Sequence, residues 1–524
     1  MAKQAHTKPQ KWKRKYSGRP HSILRQFFSR RFLIVLLILA QIAGILIMLY
    51  RLVWLKAILS AFSVITALHL LMRPDKSAFK LSLVFIILLF PVFGGTLYWI
   101  FHSQTSSIGY RMRLAKAEKK SLPAFNAAEE VFNRAMDELP EARKQMHYMK
   151  NNTPFPIYDR TQTHYFASGA DMLPQLLKDL ASAKRYIFLE YFIIEDGVMW
   201  ESVLKVLRER VADGVDVRVI YDDIGCLLTL PPNYAKKLRG MGIKCEVFNR
   251  FHPFLTSVQN NRDHRKIAVV DGVIAYTGGI NLADEYIGER IKYGNWKDSA
   301  IRLHGAGAWS FTVIFLQTWS FFHKSEEDYE KYRPDDALLP TDSDGWVQPY
   351  SDSPMDKENV GEQVYLRIIE QAQRYLYITT PYLMADDSMI SALKAAAKCG
   401  VDVRIITPER PDKKAVHFTT RSYYRDLIGA GVKIYEFSGG FIHAKLFVTD
   451  DTVATVGTAN LDFRSLYLHF ECGTCLYRTS SIADLKADYL DTLKHCRQIA
   501  DKDCKAGLFV GFFRSIVRIF APLM

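Results

Sequence analysis

The feature that most limits what this chain can fold into is an internal repeat. Residues 185–192, RYIFLEYF, return in altered form as RYLYITTPY from residue 374. GVDVRVI from residue 214 returns as GVDVRII from residue 400, and GIKCEVF from 242 returns as GVKIYEF from 431. The spacings between partners are 189, 186 and 189 residues. A near-constant offset of this size means two duplicated lobes. Each copy opens with a β-branched and aromatic strand. A helical stretch follows (Trp200 to Arg210, or Met389 to Lys398), then a glycine and a buried-strand run (Val215 to Tyr221, or Val401 to Thr407). Strands alternating with helices predict α/β sheets with helices on their faces. We place the lobes at 151–340 and 341–504, packed about a pseudo-twofold axis so that matching loops meet at a seam.

A further block of the repeat carries chemistry. The first lobe reads His264-x-Lys266-x4-Asp271, then six residues, then Gly278-Gly-Ile-Asn281. The second reads His443-x-Lys445-x4-Asp450, then six residues, then Gly457-Thr-Ala-Asn460. His and Lys two apart on a strand share a face, so an imidazole and an ammonium enter one pocket. The glycine turn returns Asn281 or Asn460 towards the strand start. Two lobes meeting supply two of each group, which suits a phosphodiester. Lysines and asparagines stabilise phosphoryl charge without a metal. One histidine can attack phosphorus while the other moves protons.

Each histidine also needs an acceptor on its other nitrogen to fix the tautomer. Asp298 and Glu471 head strand-like segments at equivalent places in the repeat, 34 residues past His264 and 28 past His443. They are the expected orienting carboxylates. Asp271 and Asp450 complete the motif, but five residues beyond the lysine on a strand is about 17 Å. That distance gives them turn or lobe structure rather than proton transfer. Tyr191, Pro381 and Tyr382 end matching strands, where they pack or touch substrate.

Outside the repeat the chain is uneven. Residues 1–31 hold ten Lys or Arg and no acid, out of a net charge of +14. The basic balance is therefore mainly a tail property, which fits an anionic membrane surface, or a solvated tail that only sets topology, better than nucleic acid. Phe32 to Tyr50 carries no charge and would span about 29 Å as a helix, close to the hydrocarbon thickness. Leu81 to Phe101 is a second uncharged run, ending near Tyr98 and Trp99. Val53 to Met72, with Lys56 and His69, is a third span or a shorter interfacial piece. A transmembrane region of two to three helices over 32–103 follows. Residues 104–150 read as a polar helix linking it to the lobes. In 505–524, Leu508, Phe512, Ile516 and Phe520 recur every four residues, as in a helix at a membrane interface or packed on the lobes. Seven scattered cysteines form no disulfide framework, and Cys472 and Cys475 read as buried thiols.

The paired motifs resemble the phospholipase D superfamily over roughly residues 155–500. Thr458 stands where the first motif has Gly279. The resemblance implies two phospholipase D-like lobes of mixed sheet, one shared active site and a phosphohistidine intermediate. It implies a catalytic set of His264, Lys266 and Asp271 with His443, Lys445 and Asp450. Lys266, Lys445, Asn281 and Asn460 would hold the phosphate. The apolar segments, the stretch LFPVFGGTLY at 89–98 and the ending FAPLM look similar to bacterial cardiolipin synthases. Such enzymes join two phosphatidylglycerols into cardiolipin and release glycerol, with no cofactor, metal or nucleic acid. The expected setting is the bacterial inner membrane, multi-pass, with the lobes on the cytoplasmic face. A hydrolytic phospholipase D and a catalytically dead membrane scaffold are the alternatives, and the oligomeric state stays open.

Overall fold

The computed structural model describes residues 53–91, 94–102, 105–126, 128–251, 257–323, 327–505 and 507–524, with a few positions between 39 and 47. The basic tail and nearly all of the Phe32–Tyr50 run lie outside the described residues.

The repeat folds as two similar mixed sheets. The first holds β1 (Thr161–Phe166), β2 (Tyr186–Tyr191), β3 (Asp216–Asp222), β4 (Lys244–Phe248), β5 (Lys266–Val270), β6 (Ile274–Gly278) and β7 (Ala300–Gly305). Its spatial order is β1-β7-β6-β5-β2-β3-β4. The second holds β8 (Trp346–Asp352), β9 (Tyr375–Thr379), β10 (Asp402–Pro408), β11 (Lys433–Phe437), β12 (Leu446–Thr449), β13 (Val453–Gly457), β14 (Glu471–Tyr477) and β15 (Cys496–Ile499). Its order is β8-β14-β13-β12-β9-β10-β11-β15, the same arrangement with one strand added. In each lobe three strands run parallel through helical crossovers (β2-β3-β4, β9-β10-β11). The strand behind the histidine joins them antiparallel, with Tyr191 opposite Lys266 and Thr379 opposite Leu446.

Alternation along β5 decides the packing. Ile267 and Val269 face a core shared with the second lobe, while Ala268 and Val270 face the first lobe's own outer core. The shared core is filled by the helix Ala308–Phe322, apolar on all sides and nearly wholly buried. Such a helix belongs at the centre of a large body.

Residues 104–150 depart from the expected single polar helix. They form helices Thr105–Ser121, Glu129–Glu138 and Arg143–Asn152, separated by short turns that hold Pro123 and Pro140. Proline lacks the N–H and clashes with the preceding turn, which ends each helix. Ala135, Leu139, Met146 and Met149 enter the shared core, so this segment is part of the catalytic body.

The membrane region also differs. The middle apolar segment forms the long helix, Val53–Leu71. Among the described residues it is the one helix long and apolar enough to cross a membrane, and 22% of its apolar window is buried. The Leu81–Phe101 run is divided into Ser77–Leu89 and Gly94–His102. A β-carbon on Gly95 would lie 2.8 Å from the Ser63 Cα, so the glycine lets the last helix pack hard against the first. Lys76, at the turn of this assembly, reaches the second lobe. Its Nζ donates to buried Glu362 at 2.7 and 2.8 Å and to Asp386 at 3.4 Å. The C-terminal helix Leu508–Ile519 packs on the lobe through Arg518–Asp426 and on the apolar helix Ser77–Leu89 through the Ser82 hydroxyl bonded to the Ile519 carbonyl. Its Phe509, Phe512 and Phe513 stay exposed.

Candidate active site

The two lobes are stitched at the seam by exchanged backbone. The short strand Gly440–Ile442, just before His443, pairs in parallel with Asn295–Lys297, just before Asp298. Asp263, just before His264, bridges Phe470, just before Glu471. Backbone bonds continue the exchange: His264 N donates to the Phe470 carbonyl at 2.9 Å, and His443 N to the Lys297 carbonyl at 2.7 Å. Glycine permits the approach, because a β-carbon on Gly440 would lie 2.0 Å from the Asn295 carbonyl oxygen.

This exchange decides which carboxylate serves which histidine. Glu471 of the second lobe holds His264, with both carboxylate oxygens 2.9 Å from Nδ1. Asp298 of the first lobe holds His443, at 2.6 Å from Nδ1. Each imidazole is therefore oriented by the other lobe. With Nδ1–H donated to a carboxylate, Nε2 keeps its lone pair for chemistry.

The carboxylates are themselves supported, and differently. The Thr458 hydroxyl donates to Glu471 Oε2 at 2.5 Å, while Asp298 Oδ1 accepts from Ser299 N at 2.8 Å. In the first lobe Gly279 occupies the place of Thr458, and a β-carbon there would meet Asp298 Oδ1 at 2.0 Å. The small residue makes room for the closer carboxylate.

Lys266 and Lys445 are buried beside the histidines, each donating to the carbonyl of its own lobe's histidine. Burial pushes Lys266 down to about 8, although Glu471 and Asp298 oppose it. Burial and Lys266 push Lys445 down to about 7, again against Asp298. His264 falls well below the usual imidazole range through burial and the charges of Lys266 and Lys445. His443 falls to about 4 through burial and Lys445, with Asp298 pulling it back up. Burial raises Glu471. For Asp298 burial acts upward too, but Lys445 and His443 outweigh it and hold the carboxyl low.

Other expected residues take more local positions. Asn281 donates to the Tyr286 hydroxyl at 2.7 Å and accepts from Ile193 N at 3.0 Å. Asn460 donates to Asp462 at 3.2 Å, and its buried Oδ1 has no hydrogen-bond partner. Asp271 and Asp450 are not brought to the histidines. Both sit in the left-handed region at the far ends of their strands (φ 51° and 55°). Asp271 accepts from the backbone N–H groups of Lys184, Arg185 and Tyr186, all at 2.8 Å. Asp450 does the same for Gln373, Arg374 and Tyr375 at 2.7 to 3.0 Å. These aspartates anchor one strand's turn to the start of its neighbour. Tyr191 is buried, Tyr382 bonds Asp412 at 2.5 Å, and Cys472 and Cys475 are buried free thiols.

Some neighbours of the site had no sequence signal that singled them out. Phe192 stacks edge-on to His264 at 4.9 Å, Trp296 lies 5.6 Å from His443, and His469 lies 5.6 Å from His264. Phe192 and Trp296 wall the imidazoles with apolar surface.

Comparison with known proteins agrees with this geometry. The family model described as "Cardiolipin synthase, PLD-like domain" matches residues 176–292 and 365–493. The chain is 36% identical to a cardiolipin synthase of Alkalihalophilus pseudofirmus, over 70% of this chain and 73% of that protein. It is 32% identical to a cardiolipin synthase of Geobacillus kaustophilus, over 93% of this chain and 98% of that one. Among solved structures, phosphatidylserine synthase of Haemophilus influenzae superposes with a TM-score of 0.53 at 16% identity. That match covers 73% of this chain and 98% of the other, and it supports the two-lobed fold.

Proposed function

The chain belongs to the phospholipase D-like cardiolipin synthase family of phospholipid phosphatidyltransferases, and we propose that it makes cardiolipin from two phosphatidylglycerols through a phosphohistidine. The observation that carries this reading is the crossed pair: two buried imidazoles, each locked at Nδ1 by the other lobe's carboxylate, with two lysines beside them.

In this reading His264 is the nucleophile. Burial and the charges of Lys266 and Lys445 hold its imidazole neutral. His443 is the acid, because Asp298, held low by Lys445, stays ionised against its Nδ1 and stabilises imidazolium. His264 Nε2 attacks phosphorus. The bond from phosphorus to the glycerol oxygen breaks, and that oxygen takes the His443 proton. The hydroxyl of a second phosphatidylglycerol then gives its proton to His443 and attacks phosphorus. The phosphorus–nitrogen bond breaks and His264 is restored, with no net change in protons. Lys266 and Lys445 stabilise the charge on the equatorial oxygens. Phe192 and Trp296 limit water, so an alcohol resolves the intermediate in its place.

The substrate's acyl chains stay in the bilayer. The N-terminal helices and the exposed phenylalanines of Leu508–Ile519 hold the lobes against the bacterial cell membrane, on its cytoplasmic face. The test is lipid analysis after incubating the purified full-length protein with phosphatidylglycerol vesicles, without added metal or nucleotide. Cardiolipin with an equal amount of glycerol is the expected result. Phosphatidic acid alone would replace transfer by hydrolysis, and no product from folded protein would overturn the donor.

A further inference from the structure

His469 has no role in the reaction above, yet it lies against the nucleophile. It sits two residues before Glu471, at the end of the short helix Phe463–Tyr467. Its ring is 5.6 Å from His264, and its Nδ1 is 3.9 Å from Glu471 Oε1. That distance is too long for a hydrogen bond. Both ring nitrogens are buried, and neither has a hydrogen-bond partner. Leaving a buried polar group unsatisfied is costly, so an imidazole with two such nitrogens is placed to meet something.

What it faces is a ligand set. One donor atom each from His264, His469 and Glu471 lie within 4.8 Å of one another. Two imidazoles and a carboxylate are the donors that zinc and its neighbours in the first transition row take, with a further position left for water or another oxygen ligand. The separations of these atoms need to shrink by up to about 1.5 Å to reach those of tetrahedral bonds of 2.0–2.2 Å. The anionic Glu471 supplies the charge that a dication needs.

We infer that His264, His469 and Glu471 form a reversible binding site for a divalent transition-metal ion, with Zn²⁺ as the best-fitting probe, and that its occupation silences the enzyme. Binding would engage the histidine and carboxylate that the first chemical step uses, so metal and phosphoryl transfer exclude each other. The ion is an inhibitor here and takes no part in the chemistry. The inhibitory half rests on the proposed role of His264, whereas the binding half does not.

The experiment separates these halves. Full-length protein in detergent, stripped with a chelator, is dialysed against Zn²⁺, and bound metal is counted for wild type and His469→Asn. Wild type is expected to hold one equivalent more than the variant, and Glu471→Gln is expected to lose the same equivalent. Replacement by Co²⁺ should give the d–d absorption of a nitrogen- and oxygen-ligated ion in wild type alone. Equal metal content and equal spectra in wild type and a folded His469→Asn would overturn the site. In parallel, cardiolipin formation by wild type should fall at least tenfold with Zn²⁺ and return on adding chelator, while His469→Asn keeps its own rate. Binding without inhibition of an active wild type would overturn the switch and leave the site. If wild type made no cardiolipin at all, the functional reading would fail, and the dialysis would still decide whether the site exists.

Discussion

The two lobes share a strand order and a motif, yet their halves of the site are not equivalent. His443 meets a closer carboxylate, Asp298, which the charge of Lys445 and the hydrogen bond from His443 hold low. His264 meets Glu471, at equal distance from both oxygens and raised by burial. The difference traces to one small position. Gly279 admits the Asp298 carboxylate where a β-carbon would collide, while Thr458 gives Glu471 a hydroxyl. Duplication supplied two of everything, and side chains around the copies then gave the two imidazoles different surroundings. The second lobe alone also carries the Lys76 contact and His469.

The largest expected effect is on the histidines. His264→Ala and His443→Ala should each lower cardiolipin formation by about 10⁴-fold or more, as loss of a covalent catalyst or its proton partner does. A donor with a leaving group that needs no proton sharpens the comparison. Quenched in alkaline denaturant, which spares a P–N bond, His443→Ala should still hold covalent phosphatidyl label from it, and His264→Ala none. Label in His264→Ala alone would reverse the roles. Lys266→Met and Lys445→Met come next, at roughly 10²–10³-fold in kcat for lost phosphoryl charge stabilisation.

The crossed carboxylates give a smaller and more diagnostic effect. Glu471→Gln and Asp298→Asn should cost about 10–100-fold. Glu471→Gln should slow labelling by the activated donor, whereas Asp298→Asn should leave that step and slow the proton-dependent ones. Pairing within each lobe would give the opposite pattern. Exchanging the small positions tests the origin of the asymmetry. Gly279→Thr should match Asp298→Asn in activity loss because it displaces that carboxylate. Thr458→Gly should cost only about 1 kcal/mol, the worth of one hydrogen bond. The smallest effect is on stability. His443 titrates at about 4 when folded and near 6.5 when unfolded, so between these values the unfolded chain binds more protons. Stability should be whole above pH 6.5 and fall as pH drops towards 4. The Tm of folded His443→Gln should fall less over that window.

The sequence by itself determined the duplication, the α/β lobes and both His-x-Lys pairs, because strand periodicity places His and Lys on one face wherever the strand sits. It also pointed to Asp298 and Glu471 as candidate orienting carboxylates, since they head strand-like segments at equivalent places in the repeat. Several features were decided only in three dimensions. Which carboxylate meets which histidine depends on strands exchanged across the seam, such as Gly440–Ile442 with Asn295–Lys297, and no local spacing encodes a contact between lobes. The central helix Ala308–Phe322 was not recognised as the core of the molecule, because an apolar run carries no record of what surrounds it. The polar linker reading of 104–150 failed for the converse reason: a few buried residues such as Met146 and Met149 are outnumbered by charge in composition but decide the packing. The Leu81–Phe101 run looked continuous by hydropathy, which does not register the break between Leu89 and Gly94. His469 is one more polar residue in the chain, and only packing placed its unpartnered nitrogens beside His264. Local pattern is written in neighbours along the chain, whereas partnership across a seam is a property of the fold.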